Sequence, residues 1–240
     1  MTSHPKKITT FKELVSEALK SQGKKYQSDV KYVKRGRKGK VVEVCMKEIC
    51  NFVVKVVKIG KYNDEEYFDS LITEYKNPSH DNIFQFQSRE SFMQEVKNFQ
   101  KLEKYSITPT LFDYWIDGGY GYIIMEKIDE TLNSYANTKI PISKQDQLID
   151  LFTSLYNNDI SYPDITTANI GFVRDRAVLI DLEIVNFEAP KSEIMVDFYG
   201  IMGEMQNDDK IVADKLIKWI IDISPETYFG FIRDSYQTDY

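Results

Sequence analysis

The sequence predicts an α+β fold in two lobes: a small antiparallel sheet with one main helix, followed by a short and mostly helical lobe. Val-rich runs bounded by Gly or polar residues occur mostly before residue 127, and apolar residues at helical spacing dominate after it. In addition, 42% of the 240 residues are hydrophobic, which is enough to bury a core. These three observations predict a globular α+β protein.

The first lobe is predicted to span residues 1–127. It opens with a helix at about 10–22, where Thr10 is a candidate N-cap. Strands are expected at 30–33, 40–46, 51–59, 110–116 and 120–127, and the main helix is expected to begin near Ser91. Asp117-Gly118-Gly119 joins the last two strands and is typical of a hairpin. Residues 60–90 differ in composition from the segments on either side and are interpreted as a partly helical insertion.

The second lobe is predicted to span residues 128–240. Ser143 is a candidate N-cap for a helix that runs to about Tyr156. Short strands are expected at about 170–173 and 177–180, and further helices near 192–206 and 208–223.

The composition excludes several kinds of chemistry. The cysteines and histidines are Cys45, Cys50, His4 and His80, and their positions give neither a metal-ligand spacing nor a basis for His-dependent catalysis. The cysteines are expected to be buried small hydrophobes in a reducing compartment. The sequence has no run of about eighteen apolar residues, and Lys and Glu are scattered through residues 1–20. We therefore expect a soluble, cytoplasmic protein without a membrane partner.

Charge is distributed unevenly along the chain, whose net charge is −6. Residues 1–61 carry 16 Lys or Arg against 5 acidic residues, and the remaining residues carry 15 against 32. A basic first part is compatible with nucleic acid, with a lobe that faces phosphate or with a solvated surface. Because the total charge is acidic, nucleic acid is the less favoured partner, although the basic lobe leaves it open.

Asp164, Asn169 and Asp181 have the most informative spacing in the sequence. Asp164 precedes Asn169 by five residues, and a Val-Leu-Ile run further on ends in Asp181. Phosphoryl transfer needs a carboxylate near the attacking hydroxyl, together with acids and amides that hold magnesium. Taken singly, Asp164 and Asn169 are better explained as turn residues, since both residue types favour turns. Together with Asp181, they favour a phosphotransfer site.

This spacing resembles the protein-kinase superfamily, in which the catalytic loop has Asp-x-x-x-x-Asn and the metal-binding loop begins with Asp after a hydrophobic strand. Asp164-Ile-Thr-Thr-Ala-Asn169 and Met195-Val-Asp-Phe-Tyr-Gly200 are similar to segments of the small kinase of the KEOPS tRNA-modification complex. The short tail after Asp181 is typical of KEOPS and RIO-type atypical kinases. The resemblance covers nearly the whole chain. It implies a two-lobed kinase fold in which Asp164 is catalytic and Asn169 and Asp181 hold Mg²⁺.

In the first lobe, the resemblance implies a lysine that binds the phosphates of ATP. Phe52-Val-Val-Lys-Val-Val57 resembles the third strand of the family, which makes Lys55 that lysine, and Glu95 in the main helix is placed to pair with it. Lys58 and Glu74 are the rival candidates. Lys55 is favoured because its neighbours on both sides are apolar, and Glu95 because its helix leads into the predicted hairpin.

A glycine loop and a hinge strand complete the implied ATP site. Gly36-Arg-Lys-Gly39-Lys-Val41 lies between two predicted strands, so Gly36, Gly39 and Val41 are implied nucleotide contacts. The loop lacks the third glycine of the family and is equally explained as a basic hairpin or a localisation-like patch. Tyr122-Ile-Ile-Met-Glu126 resembles the strand before the interlobe hinge, which places Met125 and Glu126 at the adenine; Met125 is equally explained as a core residue.

The chain departs from the family pattern around the catalytic Asp. Tyr162 replaces the usual His and can fill the same structural position, and Pro163 follows where Arg or Gly is usual. The metal loop reads Asp-Leu-Glu183 instead of Asp-Phe-Gly, which argues against loop switching more than against metal binding, because glycine supplies backbone freedom. Thr166 replaces the usual Lys, so Lys38 or Lys40 is expected to neutralise transition-state charge.

The resemblance implies a compact, atypical Ser/Thr protein kinase that uses ATP and Mg²⁺, acts on a protein substrate and has a regulatory protein partner. The alternative is a pseudokinase or nucleotide-responsive interaction module, indicated by Tyr162 and Glu183. A small-molecule kinase is less favoured, because Thr166-Thr167 stands where those enzymes have His-Pro. The Lys-, Asn- and Ile-rich composition is typical of an AT-rich genome such as that of a large DNA virus, for which host cytoplasm or virion is the expected location.

Overall fold

A computed structural model describes residues 11–21, 31–35, 40–46, 49–60, 86–136, 138–208 and 210–223. The helices are α1 (Phe11–Ser21), α2 (Arg89–Leu102), α3 (Ile142–Asn157), α4 (Lys191–Asp208) and α5 (Lys210–Ile223). The strands are β1 (Lys31–Arg35), β2 (Lys40–Met46), β3 (Ile49–Ile59), β4 (Phe86–Gln87), β5 (Leu111–Asp117), β6 (Tyr120–Glu126), β7 (Glu130–Thr131), β8 (Ile160–Ser161), β9 (Ile170–Val173), β10 (Arg176–Leu179) and β11 (Asn186–Phe187). The predicted α+β class is confirmed.

The chain divides into two compact units. Unit one comprises Met1–Lys97 and Thr110–Lys127, and unit two comprises Asn98–Pro109 and Ile128–Tyr240. The sequence prediction placed Asn98–Pro109 in the first lobe, whereas the structure groups this segment with unit two.

Unit one is built on a sheet with the strand order β1-β2-β3-β6-β5, in which neighbours are antiparallel, and β4 pairs with β3 in parallel. Val54 of β3 lies opposite Ile124 of β6, and Lys55 lies opposite Ile123. Side chains alternate between the two faces along a strand, and residues that pair across strands share a face. Val54 and Lys55 therefore lie on opposite faces of the sheet.

Helix α1 covers the face of the sheet that carries Val54. Its residues Val15, Ala18 and Leu19 recur at helical spacing and are buried. They form one apolar cluster with Val54, Val56, Trp115, Tyr122 and Ile124. Burial of each large apolar side chain contributes about 1.5–3 kcal/mol, so this apolar face holds the helix on the sheet.

The β5–β6 hairpin closes through two glycines. Gly118 and Gly119 have φ angles of +57° and +81°. Left-handed backbone at both central residues is the requirement of the tight hairpin turn that matches the twist of the strands. The hairpin predicted from Asp117-Gly118-Gly119 is confirmed.

Helix α2 lies close to the face of the sheet that carries Lys55, and Gly121 of β6 permits this approach. A Cβ atom at Gly121 would lie 2.6 Å from Cε2 of Phe92, a fully buried residue of α2. Glu95 follows Phe92 by three residues and therefore lies on the same side of the helix. The absence of a side chain at Gly121 thus sets how closely α2, and with it Glu95, approaches the sheet.

Among its described residues, unit two contains two small antiparallel sheets, three complete α-helices and the short 3-10 helices Glu103–Tyr105 and Leu132–Tyr135. β9 and β10 form a hairpin that β7 extends, and β8 pairs with β11. Helices α3, α4 and α5 meet in an aromatic core: the ring centroid of Phe198 lies 5.0 Å from that of Phe152 and 5.7 Å from that of Trp219. None of the described helices is long and apolar enough to cross a membrane.

Some local details of the sequence prediction are wrong or lie outside the described residues. Ser143 is not the N-cap of α3, because the helix begins at Ile142 after Pro141 and no side chain caps it. The sequence does not predict β4, β7, β8 or β11, since two-residue strands have no periodicity of their own. Thr10, the Gly36–Gly39 loop and residues 61–85 of the predicted insertion are not among the described residues.

We expect Gly121→Ala to lower the free energy of unfolding by about 1–3 kcal/mol, because the new methyl group overlaps the buried ring of Phe92. Chemical denaturation followed by circular dichroism measures this change. Gly200→Ala is the matched control: Gly200 is an exposed residue of α4, and a Cβ atom added to it would have no neighbour within 4 Å, so alanine should stabilise the helix by about 0.5–1 kcal/mol. Equal effects of the two substitutions would contradict the close approach of α2.

Candidate functional site

Lys55 and Glu95 form a buried ion pair in unit one. The Nζ atom of Lys55 lies 2.6 Å from Oε1 of Glu95, and the two residues are 7% and 0% exposed. Removing one partner of a buried pair typically costs about 3–5 kcal/mol, because the remaining charge stays in a poorly solvated place. Lys58 is three residues further along β3 and lies on the opposite face. Lys55 is therefore the lysine of β3 that meets Glu95; Glu74 is outside the described residues.

A second contact on Glu95 comes from a residue that the sequence did not indicate. Gln87 ends β4 and is buried, and its Nε2 atom lies 3.4 Å from Oε2 of Glu95. The parallel pairing of Gln87 with Ile59 of β3 brings it there. No motif marks a lone glutamine before a helix, so its position becomes visible only in the folded unit.

The other predicted nucleotide residues of unit one lie on strands that flank β3. Val41 is opposite Lys55 in the β2–β3 pairing, and Met125 is buried opposite Val53. The Glu126 carboxylate accepts hydrogen bonds from the backbone N–H of Thr110 at 3.2 Å and from its hydroxyl at 3.0 Å. The side chain of Glu126 is thus engaged within unit one. Gly36 and Gly39 lie outside the described residues.

In unit two, the β9–β10 hairpin brings Asn169 next to Asp181. Asn169 directly precedes β9, and Asp181 comes two residues after the end of β10. In an antiparallel hairpin, the start of the first strand and the end of the second lie side by side. The N–H of Ile180 donates to the carbonyl of Asn169 at 2.9 Å, which continues the ladder up to these residues. The hairpin therefore brings Asn169 and Asp181, the two predicted metal ligands, to the same end of two paired strands.

Asp164 and Asn169 are joined by direct hydrogen bonds. Nδ2 of Asn169 donates to the backbone carbonyl of Asp164 at 2.9 Å and to its carboxylate at 3.0 Å. Two consecutive turns lie in this loop: Ile165 N–H donates to the Tyr162 carbonyl, and Asn169 N–H donates to the Thr166 carbonyl, both at 3.0 Å. Because Nδ2 binds Asp164, Oδ1 is the amide atom through which Asn169 can bind a cation.

Thr167, in the middle of this loop, is held through its backbone. Its N–H donates to the carboxylate of Glu204 on α4 at 2.9 Å, and its carbonyl accepts from the N–H of Asn133 at 2.8 Å. The sequence did not indicate Glu204 or Asn133, since contacts to backbone atoms leave no motif. They fix the course of the chain between Asp164 and Asn169.

Tyr162 binds the backbone at the start of the predicted metal loop. Its hydroxyl lies 2.7 Å from the carbonyl oxygen of Ile180 and 2.9 Å from that of Asp181, and it donates to them. Asp181 has a φ angle of +66°, an uncommon conformation for a residue other than glycine. The next residue, Leu182, is fully buried, and its carbonyl accepts from Nδ2 of Asn98 at 2.7 Å. These contacts hold the backbone on both sides of Asp181.

Asp197 of α4 fixes the backbone of Tyr162. Its carboxylate accepts from the Tyr162 N–H at 2.8 Å, and the residue is buried. Burial raises the pKa of the Asp197 carboxyl above its ordinary value and is the largest effect, whereas the hydrogen bond from Tyr162 acts in the opposite direction. Asp197 lies within the Met195–Gly200 segment on which the sequence resemblance partly rests.

The donor set of unit two fits Mg²⁺. Magnesium prefers oxygen ligands and is commonly held by one or two carboxylates together with phosphate and water. Asp181 offers a carboxylate and Asn169 an amide oxygen at the same end of one hairpin. The structure thus brings together Lys55 with Glu95 in unit one, and Asp164, Asn169 and Asp181 in unit two. The roles of all these residues in ATP and metal binding stay predictions.

A comparison with curated proteins finds a distant relative of part of this chain. No protein-family profile matches the chain. Over 148 residues, the chain is 28% identical to a protein of Methanosphaera stadtmanae described as a probable bifunctional tRNA threonylcarbamoyladenosine biosynthesis protein. The match covers 61% of this chain but only 25% of that protein. It is compatible with a distant relationship to atypical kinases, and it gives no support to a viral source.

We expect Tyr162→Phe to lower the free energy of unfolding by about 1–2 kcal/mol, because the carbonyls of Ile180 and Asp181 lose their hydroxyl donor. Hydrogen exchange should also accelerate about fivefold or more at the Ile180 amide, which bonds to Asn169. Tyr135→Phe is the control, since it removes a hydroxyl bonded to Glu130 elsewhere in unit two. Unchanged exchange at Ile180 in Tyr162→Phe would show that the hydroxyl does not hold the loop.

We expect the Asp197 carboxyl to make the stability of the protein depend on pH. Its pKa in the folded state is above the ordinary value of 3.8. In the window between that value and the folded pKa, the native state binds more protons than the unfolded state, so the free energy of unfolding falls as pH rises. Asp197→Asn removes this contribution, so its stability relative to the wild type should increase from about pH 3.8 up to the folded pKa of Asp197 and level off above it.

Denaturant titrations at several pH values measure this difference. Asp150→Asn, a change at an exposed residue of α3, corrects for the general loss of one negative charge. Parallel pH profiles for Asp197→Asn and Asp150→Asn would refute the assignment.

Proposed function

We propose that the protein is an ATP- and Mg²⁺-dependent phosphotransferase that acts on a Ser or Thr of a protein substrate. The observation that carries the proposal is the hydrogen-bonded series in unit two, in which Asp164 bonds to Asn169 and Asn169 bonds to Ile180, the residue before Asp181. A carboxylate for the acceptor hydroxyl and two oxygen ligands for a cation are what phosphoryl transfer requires. The distant match to a tRNA-modification protein supports the kinase-type relationship.

Each residue has a separate role in this proposal. The γ-phosphoryl group of ATP would pass to the acceptor oxygen, with ADP as the leaving group, and Asn169 and Asp181 would hold the Mg²⁺ that offsets the phosphate charge. Asp164 orients the acceptor hydroxyl and takes its proton. Lys55 binds the phosphates, and Glu95 keeps its ammonium group in place. Val41, Met125 and Glu126 belong to the strands on which the nucleotide is expected.

A protein partner is the second part of the proposal. The relative from Methanosphaera stadtmanae is described as bifunctional, and the match covers a quarter of its length. The rest of that protein is therefore long enough to carry a separate function. We propose that this chain works with a separate protein that resembles the remaining part, in a process connected with tRNA modification.

A nucleotide-binding pseudokinase is the alternative that one observation favours. The loop after Asp181 carries Glu183 where the kinase pattern has glycine, and Leu182 is fixed by Asn98. A loop held in this way is compatible with binding of a nucleotide without turnover.

Radiolabelled ATP tests phosphoryl transfer directly. With Mg²⁺, the purified wild type should label itself or an added protein, or hydrolyse ATP, and Asp164→Asn should reduce this activity at least a hundredfold while the fold is kept. Chelation of the metal should abolish it. Binding of ATP without any turnover would favour the pseudokinase, and the absence of both would refute nucleotide use.

Thermal unfolding tests the nucleotide site independently. ATP with Mg²⁺ should raise the melting temperature of the wild type, since a ligand that binds the native state stabilises it. Lys55→Met should lose the ligand-induced shift relative to its own baseline. The matched control is Lys58→Met, which removes a lysine from the other face of the same strand and should keep the shift.

A further inference from the structure

We propose that Gln87 is a positioning residue that holds Glu95 in the orientation in which it pairs with Lys55. Its importance for turnover rests on the proposed function, but the contact lies wholly within unit one. The carboxylate of Glu95 has a donor at each oxygen: Lys55 Nζ lies 2.6 Å from Oε1, and Gln87 Nε2 lies 3.4 Å from Oε2. Gln87 and Glu95 are both buried.

The amide of Gln87 has a suitable acceptor for each of its hydrogens. Nε2 lies 3.3 Å from Oγ of Ser91 and 3.4 Å from Oε2 of Glu95, and a side-chain amide carries two N–H groups. Ser91 and Glu95 are four residues apart on α2, a spacing that aligns side chains along one face of a helix. The contacts of Nε2 with both residues place the Gln87 amide at this face, although Gln87 itself lies in β4, before the helix begins.

The backbone of Gln87 is fixed to the strand that carries Lys55. Gln87 pairs with Ile59 of β3, and its carbonyl accepts from the Gly60 N–H at 3.2 Å. The next residue, Ser88, precedes α2 and caps its N-terminus: its hydroxyl accepts from the Ser91 N–H at 3.0 Å. Gln87 therefore connects the strand that carries the lysine with the helix that carries the glutamate.

A neutral donor is the group that this position requires. A second carboxylate at residue 87 would repel Glu95, and a lysine there would compete with Lys55 for it. A carboxylate held at one oxygen can rotate, because glutamate has several side-chain torsions. The amide of Gln87 restricts that rotation without adding charge to the buried pair.

Chemical labelling of Lys55 tests the proposal in the nucleotide-free protein. Acetic anhydride acetylates lysine amines, and peptide mass spectrometry gives the rate at each lysine. Lys55 should react slowly in the wild type, because it is 7% exposed and paired. Gln87→Leu should raise the Lys55 rate about three- to tenfold, the change expected when one hydrogen bond to a charged group is lost. Gln87→Met, which also lacks a donor, should do the same.

A double-mutant cycle separates positioning from general loosening of the fold. In a Glu95→Gln background, Gln87→Leu should change the Lys55 rate less than about twofold, because the carboxylate on which Gln87 acts is gone. Gln147→Leu is the matched control: it removes another buried glutamine, on α3 of unit two, and should leave the Lys55 rate unchanged.

Three results would overturn the proposal: an unchanged Lys55 rate in Gln87→Leu, an equal increase in the Glu95→Gln background, or unfolding of both Gln87→Leu and Gln87→Met while Gln147→Leu remains folded. The last result would make Gln87 a general stability residue. Failure of the proposed function is seen separately, as a wild type that neither binds nor turns over ATP. Lys55 labelling then still decides the role of Gln87.

Discussion

The buried ion pair between Lys55 and Glu95 is the constraint on which the arrangement of unit one depends. Moving two charges out of water costs several kcal/mol for each, and only close contact with full hydrogen bonding offsets that cost. The 2.6 Å contact therefore requires that α2 lie at one particular height above the sheet. Gly121 sets this height through its contact with Phe92, and Gln87 provides a donor for the second carboxylate oxygen.

Unit two relies on side chains that bind backbone atoms. The hydroxyl of Tyr162, the carboxylate of Asp197 and the carboxylate of Glu204 each bind main-chain atoms in or next to the loops that carry Asp164 and Asp181. This explains how the chain can depart from the kinase pattern. A tyrosine hydroxyl reaches the backbone at Asp181, and the left-handed residue of that loop is Asp181 itself, with Glu183 in an ordinary conformation. A glycine at position 183 is therefore not needed for the observed course of the chain.

The sequence predicts the long elements well, because their signals are local. The apolar spacing of α1 and of the three helices of unit two corresponds to their buried faces, and the Gly118-Gly119 turn follows from backbone freedom alone. Local signals fail for β4 and for the start of α3. A two-residue strand such as β4 exists because β3 lies beside it, and α3 begins directly after Pro141 without a capping side chain.

By itself, the sequence determined the residue types and the order of the predicted phosphotransfer site: Lys55, Glu95, Asp164, Asn169 and Asp181. Spacing along a chain carries this information because loop lengths and strand ends are local properties. The tertiary structure alone decided which groups surround these residues, namely Gln87 at Glu95, Tyr162 and Asn98 beside Asp181, and Asp197 and Glu204 under the catalytic loop. Most of these contacts join residues far apart in sequence, and many end on backbone atoms that every residue shares, so no pattern of side chains could reveal them.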